Sequence, residues 1–110
     1  MKITLKLSAK QLSVLVYLLQ QNDQPNNANK EERFFWSILN ELKLKIEKKH
    51  LEINSGLTLF NSKQKHNLRF NFYQAYIIEQ YLIICSRQPL NDYDGNVLKF
   101  IYSTINKQLA

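Results

Sequence analysis

Residues 73–87 read Tyr-Gln-Ala-Tyr-Ile-Ile-Glu-Gln-Tyr-Leu-Ile-Ile-Cys-Ser-Arg, and this stretch decides the fold. At 3.6 residues per turn, Tyr73, Tyr76, Ile77, Tyr81 and Ile84 fall on one stripe, with Ile78, Leu82 and Cys85 beside it. Apolar groups cover more than half the circumference. A helix of that kind has little to offer water, so it must lie at the centre of the chain or be covered by another subunit. Pro89 ends it, because proline excludes the helical conformation from the residue before it.

Immediately upstream, Leu68, Phe70 and Phe72 alternate with Arg69 and Asn71, the period of a half-buried strand. The same pattern opens the chain, where Ile3, Leu5 and Leu7 point one way and Lys2, Thr4 and Lys6 the other. Each alternating segment runs straight into an apolar helix. The two are expected to pair as a short two-stranded antiparallel ribbon, Ile3 to Leu7 with Leu68 to Phe72. Leu57 to Phe60 reads either as a further strand or as the end of a turn, and 61–67 reads as a polar loop.

Three more helices follow from capping signals and spacing. Ser8 with Gln11 three residues on matches a capping box, and Leu12, Leu15, Val16 and Leu19 form the stripe behind it. Asn29 with Glu32 repeats the signal for a helix from Lys30 to about Leu51, carrying Phe35, Leu39, Leu42, Ile46 and Ile53, with Gly56 as a natural stop. Asn91, Asp92 or Asp94 caps the last helix, which turns Val97, Ile101, Ile105 and Leu109 inward. Residues 20–29 are almost devoid of apolar side chains and read as a flexible polar loop. The fold expected is mainly α: one domain over residues 1–110, with four helices around the ribbon.

Totals agree. A chain of 110 residues holds one core. Two glycines and two prolines leave few sharp turns, which favours long helices over many short strands. The single cysteine, Cys85, offers no disulfide within the chain and sits among Leu82, Ile83 and Ile84 as a small hydrophobe. Apolar runs are too short to cross a bilayer, and the amino-terminal stretch lacks a small-residue cleavage site. A cytoplasmic location is therefore expected, with no membrane partner. The abundance of Asn, Lys, Ile, Phe and Tyr is that of A/T-rich codons and points to a low-GC bacterial genome.

Catalytic signatures are missing. No Gly-x-Ser-x-Gly elbow or glycine-rich phosphate loop is present. Glu47 and His50 stand at the i, i+3 spacing of di-iron bundles, but no second such pair exists, and Lys48 and Lys49 would repel a cation. Asp92 to Asn96 faintly matches a calcium loop, yet Leu90 and Ile101 fall where ligands are needed. Leu7 to Leu19 resembles the helix that opens winged-helix regulators, over about a dozen residues only. No tight turn and recognition helix follow. No cofactor or metal is expected, and an enzyme with an unrecognised site ranks third among the functional readings.

Two readings stand ahead of it. Phe34, Phe35 and Trp36 are consecutive, and successive residues turn about 100° on a helix, so three large rings cannot share one core. At least one is expected at the surface, where Phe and Trp are favoured anchors; this supports a protein-interaction module that self-associates as a dimer or binds another protein. The alternative is nucleic-acid binding. The net charge is +6, and its excess concentrates in Lys43, Lys45, Lys48, Lys49, Lys63, Lys65 and Arg69, a density suited to phosphate contacts, with Phe60, Phe70 and Tyr73 as stacking faces.

Overall fold

The computed structural model describes residues 2–56 and 63–110. In chain order the elements are β1 (Ile3–Ser8), α1 (Ala9–Gln20), α2 (Lys30–Ser55), β2 (Lys65–Phe70), α3 (Phe72–Ser86) and α4 (Asp92–Leu109). The fold is mainly α, four helices with a two-stranded antiparallel sheet, as the patterns predict. No helix among the described residues is long and apolar enough to cross a membrane.

Each helix begins where a side chain takes over an orphaned backbone donor. Ser8 Oγ accepts from Gln11 N at 3.2 Å while Gln11 Oε1 accepts from Ser8 N at 3.0 Å. Asn29 with Glu32 and Asn71 with Gln74 form the same reciprocal box, and Asn91 Oδ1 accepts from Asp94 N at 2.8 Å. Among the three residues expected to cap α4, Asn91 is the one that does so.

The ribbon is real but its second strand is displaced. β1 pairs with β2 from Ile3↔Phe70 through Leu5↔Leu68 to Ser8↔Lys65. Lys65, His66 and Asn67, read from sequence as loop, belong to the strand; Asn71 and Phe72 do not. The box at Asn71 explains this, because it commits the next residue to the helix and cuts the alternation two positions early. The expectation for Leu57 to Phe60 lies outside the described residues. Helix α2 also runs one turn beyond Leu51, to Ser55.

Ile3, Leu5, Leu7, Leu68 and Phe70 fill the inner face of the ribbon against α1, α3 and α4. Helix α3 lies centrally, packed by α2, α4 and β2, and Ile77, Ile78, Tyr81, Leu82 and Cys85 are buried. At the amino-terminal end of its apolar stripe, Tyr73 and Tyr76 are about half exposed. Leu39, Leu42 and Ile46 of α2 are buried as expected, and Trp36 joins them, while Phe35 and Ile53 are only half-buried. Val97, Ile101 and Ile105 are buried on α4, and Leu109 packs at the core's margin.

The outer edge of β1 is covered at Thr4 by a side chain. Gln108 Oε1 accepts from Thr4 N at 2.9 Å, and Gln108 Nε2 donates to Thr4 O at 2.7 Å, so the amide imitates a neighbouring strand. A second tie holds the end of α1. Tyr81 Oη donates to the Leu18 carbonyl, and Asn22 Nδ2 donates to Tyr81 Oη at 3.2 Å while its Oδ1 accepts from Gln88 Nε2 at 2.7 Å. The polar segment after α1 is thereby anchored at Asn22, and again at Ala28, which is buried and whose carbonyl accepts from Arg33 Nε at 3.2 Å.

Burial pushes the Tyr81 hydroxyl and the Cys85 thiol above their ordinary values of 10.0 and 9.0. Both groups therefore fold in the neutral form. Their contribution to stability is complete below about pH 9 and declines as pH climbs past those values, because the unfolded chain releases the protons first. Urea unfolding should thus show a falling midpoint above pH 9, with a shallower fall in Tyr81→Phe, which should also lose about 1 kcal/mol at neutral pH. Gly95 lies inside α4 with nothing within 4 Å of the position a Cβ would take. Gly95→Ala should stabilise the chain by about 0.5–1 kcal/mol in the same measurement.

Candidate interaction surfaces

Two surfaces emerge, one at each end of α2. At its amino-terminal end the aromatic triplet fans out as the 100° turn requires. Trp36 is buried and meets Tyr81 edge-on at 6.0 Å between centroids. Phe35 is half-buried and packs edge-on against Trp36 at 5.6 Å. Phe34 is 68% exposed. An open cleft of about 630 Å³ lies between this part of α2 and the outer stripe of α3. Phe35, Trp36, Tyr76, Ile83 and Ile84 supply its apolar lining, and Glu31, Glu32 and Arg87 stand among its polar residues. Tyr73 lies one turn before Tyr76 and continues the same helix face, also half exposed. Glu31 borders both this cleft and the recess around Phe34, so the free ring and the cleft are neighbours.

At the other end, Lys45, Lys48, Lys49 and Glu52 recur at i, i+3, i+4 and i+7 and form one face of α2. That face looks across an open groove of about 480 Å³ at Asn67, Leu68 and Arg69 of β2. Glu52 is the one acid among the described residues that line it, against four cations. The Lys45 side chain spans the gap: its ammonium donates to the Arg69 carbonyl at 2.8 Å and sits 5.0 Å from the centroid of the Phe70 ring.

The structure thus gathers Lys45, Lys48, Lys49 and Arg69 into one groove and leaves three expected members out. Lys43 is half-buried and does not line it. Lys65, at the far end of β2, donates to Gln11 Oε1 at 2.9 Å beside the α1 cap. Lys63 is exposed just before β2 and lies off the groove. The stacking faces fare worse. Phe70 is fully buried beneath Lys45, Tyr73 belongs to the aromatic surface, and Phe60 lies outside the described residues.

The remaining titratable side chains are dispersed. Glu47 Oε1 accepts from Gln20 Nε2 at 3.3 Å, and His50 Nε2 lies 3.1 Å from Asn54 Nδ2. Glu79 is buried on the seam between α3 and α4, where Asn106 Nδ2 donates to its carboxylate at 2.9 Å. His66 Nε2 is buried with no hydrogen-bond partner among the described residues. No three His, Cys, Asp or Glu side chains among the described residues come together as a metal site would require.

Two features escaped the sequence. The cleft beside Phe34 depends on how closely α2 approaches α3, and periodicity says nothing of that distance. Signs of it were present in Tyr76, Ile83 and Ile84, surplus apolar groups on a helix already covered over half its circumference. The outward main-chain edge of β2 carries no side-chain signal. Compared with models of known protein families, with curated proteins and with solved structures, the chain matches none.

Proposed function

We propose that this chain is a non-enzymatic protein-interaction module, acting in the cytoplasm, that pairs with a second copy of itself through the aromatic surface of α2 and α3. The observation that carries the proposal is Phe34, 68% exposed beside an open apolar cleft. A projecting ring next to a recess is what a two-fold dimer can exchange reciprocally, each copy's ring entering the other's cleft. Phe35, Trp36 and Tyr76 would form the floor that receives it, and aromatic anchors in a desolvated pocket dominate most interfaces. Arg87 and the pair Glu31 and Glu32 stand among the cleft's polar residues with opposite charge, which suits a self-complementary contact. The dispersed acids and histidines support the non-enzymatic half of the proposal.

Nucleic-acid binding is the weaker reading. It keeps four cations among the described residues of the groove, yet of its expected stacking faces Phe70 is buried and Tyr73 lies on the aromatic surface instead.

Light scattering on size-exclusion fractions tests the dimer. The wild-type chain should move from monomer to dimer as concentration rises, and Phe34→Glu should remain monomeric with unchanged helical dichroism. A wild-type chain that is monomeric at every concentration reached would defeat the proposal.

A further inference from the structure

The basic groove at the other end of α2 has a second property, carried by main chain. Thr4 directs both its N–H and its carbonyl away from β2, toward Gln108. In an antiparallel pair, residues opposite one another share that orientation, so the main chain of Arg69, the partner of Thr4, faces away from β1. The Lys45 ammonium on the Arg69 carbonyl agrees with this. Asn67 lies two residues earlier and presents its N–H and carbonyl the same way. The outward groups of Asn67 and Arg69 therefore open into the groove that Lys45, Lys48 and Lys49 face from α2. On the opposite side of the ribbon Gln108 meets both main-chain groups of Thr4, while here, among the described residues, a single lysine covers a single carbonyl.

We infer that this groove binds a short acidic segment of a partner protein, added as a third strand along β2. The helix face from Lys45 to Glu52 spans roughly 10 Å, at 1.5 Å per residue, which matches three or four extended residues. The strand's main chain would pair with Asn67 and Arg69, and carboxylates along it would meet Lys48, Lys49 and the Arg69 side chain. Lys45 guards the edge in the free protein, as edge lysines commonly do. On binding, an N–H of the incoming strand replaces the ammonium at the Arg69 carbonyl, and the released ammonium takes a carboxylate. Four cations against one acid select the charge of the occupant, and the exposed edge selects its conformation. A nucleic acid would use the cations but not the main-chain groups, and it would find no exposed ring among the described residues that line the groove.

The surface lies nine or more residues along α2 from the cleft beside Phe34, so the two proposals fail separately. Phe34→Glu should leave binding in the groove intact, and Lys48→Glu should leave the oligomeric state intact.

The test uses the full chain at low salt and a fluorescein-labelled hexapeptide alternating glutamate and valine, read by anisotropy. Saturable binding is expected, with the Asn67 and Arg69 amides gaining protection from hydrogen exchange. Lys48→Glu and Lys49→Glu, both on exposed or half-exposed helix positions, should each weaken it about tenfold. The same peptide N-methylated at alternate residues keeps every charge but cannot pair with the edge, and it should bind at least about tenfold more weakly. Equal binding of the methylated peptide, or unchanged amide protection, would show charge attraction without strand addition and overturn the inference. An oligothymidylate that binds more tightly than the peptide would assign the groove to nucleic acid, and no binding by the peptide at all would remove it as a docking site.

Discussion

The antiparallel pairing of β1 with β2 is the constraint on which the rest of this structure hangs. It joins residues 57 to 67 positions apart and turns Ile3, Leu5, Leu7, Leu68 and Phe70 toward a common interior. α1 and α3 each follow their strand almost without a break, so the ribbon also sets where both helices start. Gln108 then binds the last turn of α4 to the free edge of β1. A strand held on one side by its partner and on the other by a glutamine leaves few main-chain groups seeking water, which is how so short a sheet can stand under four helices.

Much of this was legible because water exclusion imposes a period. Leu12, Leu15, Val16 and Leu19, or Val97, Ile101 and Ile105, are inward because nothing else at their spacing can be. Helix starts were equally plain, since Ser8 and Asn29 are local chemical signals acting over three residues. The displaced strand shows where the two signals compete. Hydrophobic alternation favours a strand through Phe72, the Asn71 and Gln74 box favours a helix from Phe72, and the box prevails because it satisfies backbone donors directly. Lys65 and Asn67 gave no apolar signal because they lie on the outer face of an edge strand, and His66, opposite Leu7, turns a polar ring to the inner face; pairing with Lys6, Leu7 and Ser8 places all three in the ribbon.

The candidate surfaces were less legible, and for a different reason. Sequence placed Phe34, Phe35 and Trp36 on one turn and the lysines on one stretch, but a surface is made by what stands opposite. Lys45, Lys48 and Lys49 become a groove only because β2 passes beside them, and Lys65 leaves the group because Gln11 lies within its reach. Tyr73 and Tyr76 belong to the apolar stripe that periodicity draws along α3. They lie outward because β2, α2 and α4 already cover the rest of α3. The long α2 therefore carries two chemistries: rings at the start, where α3 is near, and cations toward the end, where a strand replaces it.

The distance in sequence between the two strands has a consequence for biosynthesis. On the ribosome Ile3–Ser8 appears first, while Lys65–Phe70 follows only after some sixty further residues are added, several seconds at about 5–20 residues per second. Through that interval the nascent β1 is an orphan with a greasy side and an unclaimed backbone, exposed to neighbouring chains on a polysome. Lys2 and Lys6 give it positive charge for the wait, so that two such orphans repel one another before either finds its proper mate.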